Sequence, residues 1–152
     1  MERISNALAC HRFMSGLEAK HIEKLMKHAT QATFEAGTYV FHESEPANSF
    51  YLIRSGRIHI ELSAEHGTVL VQSVGPGDFI GWSWLLPPHK WRFDAHVVER
   101  SELIVLNGQE LRDELEEDHE LGYRLMLKFI EVIAQRLEGS RIQLMDLYGS
   151  PR

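Results

Sequence analysis

The sequence predicts an α+β domain, mainly β, in which a small antiparallel barrel or sandwich is bracketed by helices. Three observations predict it. Helical periodicity is confined to the two ends of the chain, short β-type segments separated by turn residues fill the middle, and a proline-free amphipathic stretch follows them. A length of 152 residues with 43% apolar composition suits one domain, 1–152, with a sizeable core. Its parts are N-terminal helices (1–30), a barrel (31–108) and C-terminal helices (109–148).

In chain order, Leu8 and Phe13 suit a short first helix. Ser15-Gly16-Leu17-Glu18 has capping-box spacing. Ile22, Leu25, Met26 and Ala29 follow at i, i+3, i+4 and i+7, one face of a second helix. From about Thr33 the period changes. Tyr39–His42, Phe50–Arg54, Arg57–Leu62, Thr68–Val74, Phe93–Val98 and Glu102–Asn107 read as strands. Turn residues punctuate them, among them Gly37, Pro46-Ala47-Asn48, Glu65-His66-Gly67, Gly75-Pro76-Gly77 and Glu99-Arg100-Ser101. Ser55-Gly56 carries a tight-hairpin signal. Alternation in Arg57–Leu62 turns Ile58, Ile60 and Leu62 inward.

Glu110–Asp118 reads as an acidic amphipathic turn or two, and from His119 to about Leu147 runs a helix of roughly 44 Å at 1.5 Å per residue. Leu121, Leu125, Phe129 and Val132 make one apolar stripe; Met126, Ile130, Ile133 and Leu137 make another. A helix lying on one barrel needs a single stripe. The second is expected to face either the N-terminal helices or the same helix of a second subunit, and a homodimer through Met126, Ile130, Ile133, Leu137 and Leu144 is the simpler arrangement.

Composition excludes several classes. Sixteen Lys+Arg against 22 Asp+Glu give a net charge of -6, which disfavours a dedicated nucleic-acid surface. No run approaches the ~18 apolar residues of a membrane span. The start, Met1-Glu2-Arg3-Ile4-Ser5, leads into no apolar signal segment, and Cys10 is the sole cysteine. A cytoplasmic protein with no internal disulfide is expected.

Specific residues then narrow the fold. Phe34-Glu35-Ala36-Gly37-Thr38-Tyr39-Val40-Phe41-His42-Glu43-Ser44-Glu45-Pro46-Ala47, followed by Phe50-Tyr51-Leu52-Ile53-Arg54-Ser55-Gly56-Arg57-Ile58, resembles the first half of a cyclic nucleotide-binding domain, as in the catabolite activator and FNR-type regulators. Gly75-Pro76-Gly77-Asp78-Phe79-Ile80-Gly81 resembles the start of that family's phosphate-binding cassette, and Ala134-Gln135-Arg136-Leu137 its long central helix. The resemblance implies a jelly-roll barrel with a ligand pocket and a dimerising helix. The family's transcription factors carry a helix-turn-helix after that helix. This chain stops at Leu147-Tyr148-Gly149-Ser150-Pro151-Arg152, so a sensor module without direct DNA binding is expected.

The resemblance also sets requirements for the pocket. A glycine admits the cyclic phosphate to the N-terminus of a short helix, a following Glu reads the ribose hydroxyl, and an Arg pairs with the phosphate. Gly81 meets the first, and Ser83-Trp84-Leu85-Leu86 suits the short helix, stopped by Pro87-Pro88. After Gly81 stands Trp82, without a carboxylate, and the arginine position falls on Trp91, with Arg92 next to it. Strand parity turns Trp91, Phe93, Ala95 and Val97 inward and Arg92, Asp94 and His96 outward, so Arg92 reaches a phosphate only through a bulge and is otherwise a surface residue beside Asp94. Losing the carboxylate leaves a buried hydroxyl unpaired, at about 1–3 kcal/mol, and losing the arginine costs at least comparably. Tight binding of ordinary cAMP or cGMP is therefore not expected.

Trp82, Trp84 and Trp91 are all the tryptophans of the chain, and they either plug the barrel mouth or line an aromatic pocket for a flat ligand, the plug being the plainer reading. On the long helix, Arg136 and Ser140 match purine-side contacts of the family, with surface pairing of Arg136 as the alternative. A metal-binding cupin is disfavoured: no His-x-His occurs, and His59 and Glu61 fall on a face expected to meet solvent. No catalytic signature, P-loop or dinucleotide fingerprint is present. The expected protein is a non-catalytic sensor or regulatory module with a degenerate cassette. Its pocket candidates are Gly81, Trp82, Ser83, Trp91, Arg92, Arg136 and Ser140, and it has no resident cofactor or metal; a cyclic nucleotide or another small molecule is the only ligand suggested. The alternative is an accessory docking subunit of a larger assembly, such as a redox enzyme complex.

Overall fold

The computed structural model describes the backbone of residues 2–148 and the side chains of residues 6–139. Two compact units divide the chain, the first ending at Glu117 and the second beginning at Asp118. The first holds α1 (Glu2–Cys10), α2 (Ala19–Met26), six strands and α3 (Gly108–Glu117); the second is α4 (His119–Tyr148). Among the described residues no helix is long and apolar enough to cross a membrane.

Between α1 and α2 lies a 3-10 turn, Arg12–Met14, with Leu8, Phe13 and Met14 buried. The capping box expected at Ser15 is not used. Ser15 closes the 3-10 turn by donating to the Arg12 carbonyl (3.1 Å), Gly16 turns the chain at φ +90°, and Glu18 becomes the N-cap of α2 without a side-chain hydrogen bond. The helical face also ends sooner than its period suggests. Ala29 opens a strand, β1 (Ala29–Phe34), that no local pattern announced, because it pairs with distant residues: Ala29 faces Leu106 and Phe34 faces Ser101.

The barrel is built around two long antiparallel strands, β3 (Ser49–Ala64) and β6 (Asp94–Asn107). β1 flanks β6, β4 (Gly67–Val74) flanks β3, and the short β2 (Tyr39–Phe41) and β5 (Phe79–Ile80) pair with β6 and β3. Two expected turns lie inside these long strands. Ser55-Gly56 is no hairpin, and Glu99-Arg100-Ser101 no break; the two segments face each other where the β3–β6 register shifts. Gly56 sits at φ +101°, and a Cβ there would come within 2.1 Å of Ser101 Oγ, so the glycine admits a bulge that bends both strands together. Ser101 is fully buried and its hydroxyl donates to the Glu99 carbonyl (2.7 Å).

Ile58 and Ile60 turn inward as expected, together with Phe50, Leu52, Phe79, Val97 and Ile104. Leu62 does not: it is 41% exposed. The cause is the end of the sheet. β6 starts at Asp94, opposite Glu61, and beyond that point β3 pairs with β4 alone. The hairpin tip thus presents Leu62, Val69, Leu70 and Val71 to solvent. Glu61, expected on a wet face, is buried, accepting from the His96 ring (3.0 Å) beneath the stacked Tyr39.

α4 is one unbroken helix, as its lack of proline predicts. Leu121, Leu125 and Phe129 are buried, whereas Ile130 and Leu137 are each 60% exposed and Met126 and Ile133 are half-buried. The Leu144 side chain lies outside the described residues.

Candidate functional site

The cassette begins at the turn Gly75–Asp78. The Asp78 carboxylate accepts from the Gly75 N–H (2.9 Å) and faces Arg12 at 3.5 Å, while Gly77 donates to the Ile53 carbonyl (3.0 Å). β5 then pairs Phe79 with Leu52 and Ile80 with Tyr51, which delivers Gly81 into the barrel wall. Gly81 is buried at φ +68°. A Cβ there would lie 2.9 Å from Phe93 Cζ and 3.0 Å from Trp91 Cζ3. The close approach that the glycine permits is therefore taken by two aromatic rings of the same chain.

The short helix expected at Ser83–Leu86 does not form. A single turn stands in its place, with Leu85 donating to the Trp82 carbonyl (2.9 Å), followed by a second with His89 donating to Leu86 (2.9 Å). The prolines explain it. Helical bonds to the Ser83 and Trp84 carbonyls would come from residues 87 and 88, and neither proline has an N–H. The Trp84 carbonyl accepts instead from the Arg112 guanidinium of α3. Without a helix there is no helix dipole to hold an anion at this place.

Trp91 is fixed by its backbone and its ring. Ser44 donates to the Trp91 carbonyl (2.7 Å) and Trp91 donates to Glu45 (2.9 Å), tying the end of the cassette to the segment after β2. The indole is 3% exposed and stacks on Phe41 with centroids 3.8 Å apart and planes 3° from parallel. Phe93 and Tyr51 complete the cluster, each 6.2 Å from Trp91. Burial pushes the Tyr51 phenol up, outweighing the hydrogen bond with Ser49, so it stays neutral.

The other two tryptophans belong elsewhere. Trp84 is fully buried 5.0 Å from Phe50, and Trp82 is half-buried, edge-on to Phe79 at 6.5 Å; Phe13 joins Phe50 and Phe79. The structure thus brings Gly81 and Trp91 together, while Trp82 packs edge-on to Phe79 and Ser83 is buried. Ala95 and Val97 are buried, as strand parity implies; Arg92 is exposed, but it lies in the bend before β6, which starts at Asp94, so parity does not account for it. Asp94 is engaged by the Glu43 N–H (2.7 Å) and by His42 (3.6 Å). Arg136 is half-buried on α4, and the Ser140 side chain lies outside the described residues. Sequence reasoning missed Phe41, Tyr51 and Arg112. Phe41 could have been found from the aromatic content of β2, but Arg112 carried no signal, since its role depends on the cassette failing to form a helix.

Residues 31–118 match the family described as the cyclic nucleotide-binding domain. The chain is 28% identical over 141 residues to a CRP-like cAMP-activated global transcriptional regulator of Mycobacterium tuberculosis, covering 92% of this chain and 61% of that protein, so it spans about three fifths of that relative's length. Among solved structures, the sensor domain of the transcriptional regulator DNR from Pseudomonas aeruginosa superposes with a TM-score of 0.72 at 20% identity, covering 91% of this chain and 95% of that one. The Thermus thermophilus catabolite activator protein gives 0.70 at 20% identity, covering 90% and 62%. At these identities the structural likeness speaks for the fold.

Proposed function

The chain belongs to the cyclic nucleotide-binding domain family, and from that membership we propose that it is a non-catalytic regulatory module whose cassette has become degenerate, so that cAMP and cGMP bind weakly or not at all. One observation carries this reading: the Trp91 indole, stacked on Phe41, packs against Gly81 where a phosphate would need backbone contact. Trp82 in place of a ribose-reading carboxylate, the missing cassette helix and the exposure of Arg92 all act in the same direction.

We assign the exposed stripe of α4 around Ile130 and Leu137 to a second copy of the chain, with Met126, Ile133 and Leu144 in the same seam. A change at the cassette would act by shifting the population of two arrangements of that helix. The exposed Cys10 thiol fits a reducing, cytoplasmic setting. A second reading, a docking subunit of a larger assembly, is favoured by the apolar hairpin tip at Leu62 and Val69–Val71, which the fold leaves uncovered.

Calorimetric titration with cAMP and cGMP tests the first reading. The expected result is no saturable heat at concentrations where a family sensor would be filled, and no change on Arg92→Ala. A Kd tighter than about 10 μM, equivalent to roughly -7 kcal/mol, would overturn it.

A further inference from the structure

A different part of the first unit offers a cavity of about 340 Å³, at the lower end of small-molecule sites. It opens between α1, the 3-10 turn, β3 and the Pro76-Gly77 turn, and Ala7 and Pro76 give it accessible apolar surface, Ile53 being fully buried. Two arginines are among the residues that line it. Arg12 is 73% exposed and faces Asp78 at 3.5 Å; Arg54 is 40% exposed and faces Glu102 at 3.8 Å. Both separations exceed the 2.7–2.9 Å of a charge-assisted hydrogen bond, so each fork keeps donors available to a third group. His11, in the same wall, is buried with both nitrogens committed: Nε2 donates to the Ile53 carbonyl (2.8 Å) and Nδ1 accepts from the Phe13 N–H (3.1 Å). That tautomer is neutral, so the imidazole neither repels an anion nor competes for the arginines.

We propose that this cavity is a binding site for a small organic phosphomonoester, its phosphate held between Arg12 and Arg54 and its organic part resting on Ala7 and Pro76. The pairing of two separate guanidinium groups suits a dianion with three acceptor oxygens better than a single carboxylate. The apolar walls select an organic phosphate over the free ion. The site borders the first turn of the cassette at Pro76 and Gly77 but shares no residue with the aromatic cluster around Gly81, so its failure would leave the reading of Trp91 untouched.

Cys10 lines the cavity, is exposed, and is the only cysteine of the chain, so its alkylation reports occupancy. The probe is phenyl phosphate at low ionic strength, where exposed charges are least screened. Iodoacetamide modification of Cys10 is followed by intact mass. Phenyl phosphate should slow it saturably and more effectively than inorganic phosphate. Arg12→Gln and Arg54→Gln should each raise the half-protecting concentration about tenfold, the worth of one charge-assisted hydrogen bond. Absence of protection by phenyl phosphate, or undiminished protection in the double variant, would overturn the site; equal protection by inorganic phosphate would overturn the organic ligand. Should the double variant not fold, the comparison of the two phosphates on the unaltered protein still decides.

Discussion

Replacing Trp91 with alanine probes the cassette directly. The indole is 3% exposed, stacked at 3.8 Å on Phe41 and packed against Gly81. Truncating a buried aromatic side chain costs about 3–5 kcal/mol, lost transfer energy and cavity together. The hydrogen bonds that hold residue 91 to Ser44 and Glu45 are main-chain and survive the substitution, so the loop stays in place and the void cannot collapse fully. That argues for the upper half of the range. Against a total stability of about 5–15 kcal/mol, a loss of about 4 is severe but need not unfold the protein. With a urea slope of about 2 kcal/mol/M, the midpoint should fall by about 2 M at unchanged slope. Fluorescence of the two remaining tryptophans, Trp82 and Trp84, follows the transition, since both belong to the separate cluster with Phe50 and Phe79. Free indole should refill the space and recover about 2.7 kcal/mol at a hundredfold excess over its Kd. A loss below about 1 kcal/mol, unresponsive to indole, would show that the ring is loosely held and the space beside Gly81 is open to a ligand.

Three further expectations follow from the same geometry. Gly56→Ala should destabilise by about 3 kcal/mol or more, combining left-handed strain with the collision at Ser101 Oγ, and a urea titration equal to the unaltered protein would refute the paired bulge. Burial holds His11 below its ordinary 6.5, only partly offset by the hydrogen bond to Ile53. Since the unfolded chain then binds the proton more readily, the stability due to neutral His11 is complete above pH 6.5 and is lost as the pH falls from there toward the folded value. Unfolding curves of His11→Gln should therefore lose part of that acid slope, and an unchanged slope would contradict it. Ile130→Glu with Leu137→Glu should convert a dimer into a monomer in analytical ultracentrifugation; a protein already monomeric before substitution would remove the basis for a helix seam.

What could be read from the sequence was whatever depends on neighbours along the chain. α4 follows from its uninterrupted pattern, and the inward set Ile58, Ile60, Ala95 and Val97 follows from strand parity. The rest depends on residues far apart. β1 exists because β6 has a free edge for Ala29–Phe34. Ser55-Gly56 has the composition of a hairpin turn, and only its partner Ser101 shows that it is a bulge within a longer strand. Leu62 obeys the alternation yet faces water, because the strand beneath it starts at Asp94. At the cassette, the substitutions Trp82 and Trp91 were visible, whereas the stacking partner Phe41 and the loss of the helix were decided by packing and by two missing N–H groups.

The pairing of β1 with β6 also bears on how the protein reaches its native state. Residue 29 cannot meet residue 106 until most of the first unit has been drawn into a closed loop, and the β3–β6 ladder closes shorter but still non-local intervals, from Glu61 with Asp94 to Ser49 with Asn107. The entropy of such closures is spent before the contacts that reward it form. Refolding should be governed by chain topology and proceed in milliseconds to seconds, as for other barrels rich in non-local pairs. Until then the unpaired core strands would be exposed beside the apolar tip around Val69–Val71, which the native fold also leaves uncovered, and this is the interval in which the protein is most open to self-association.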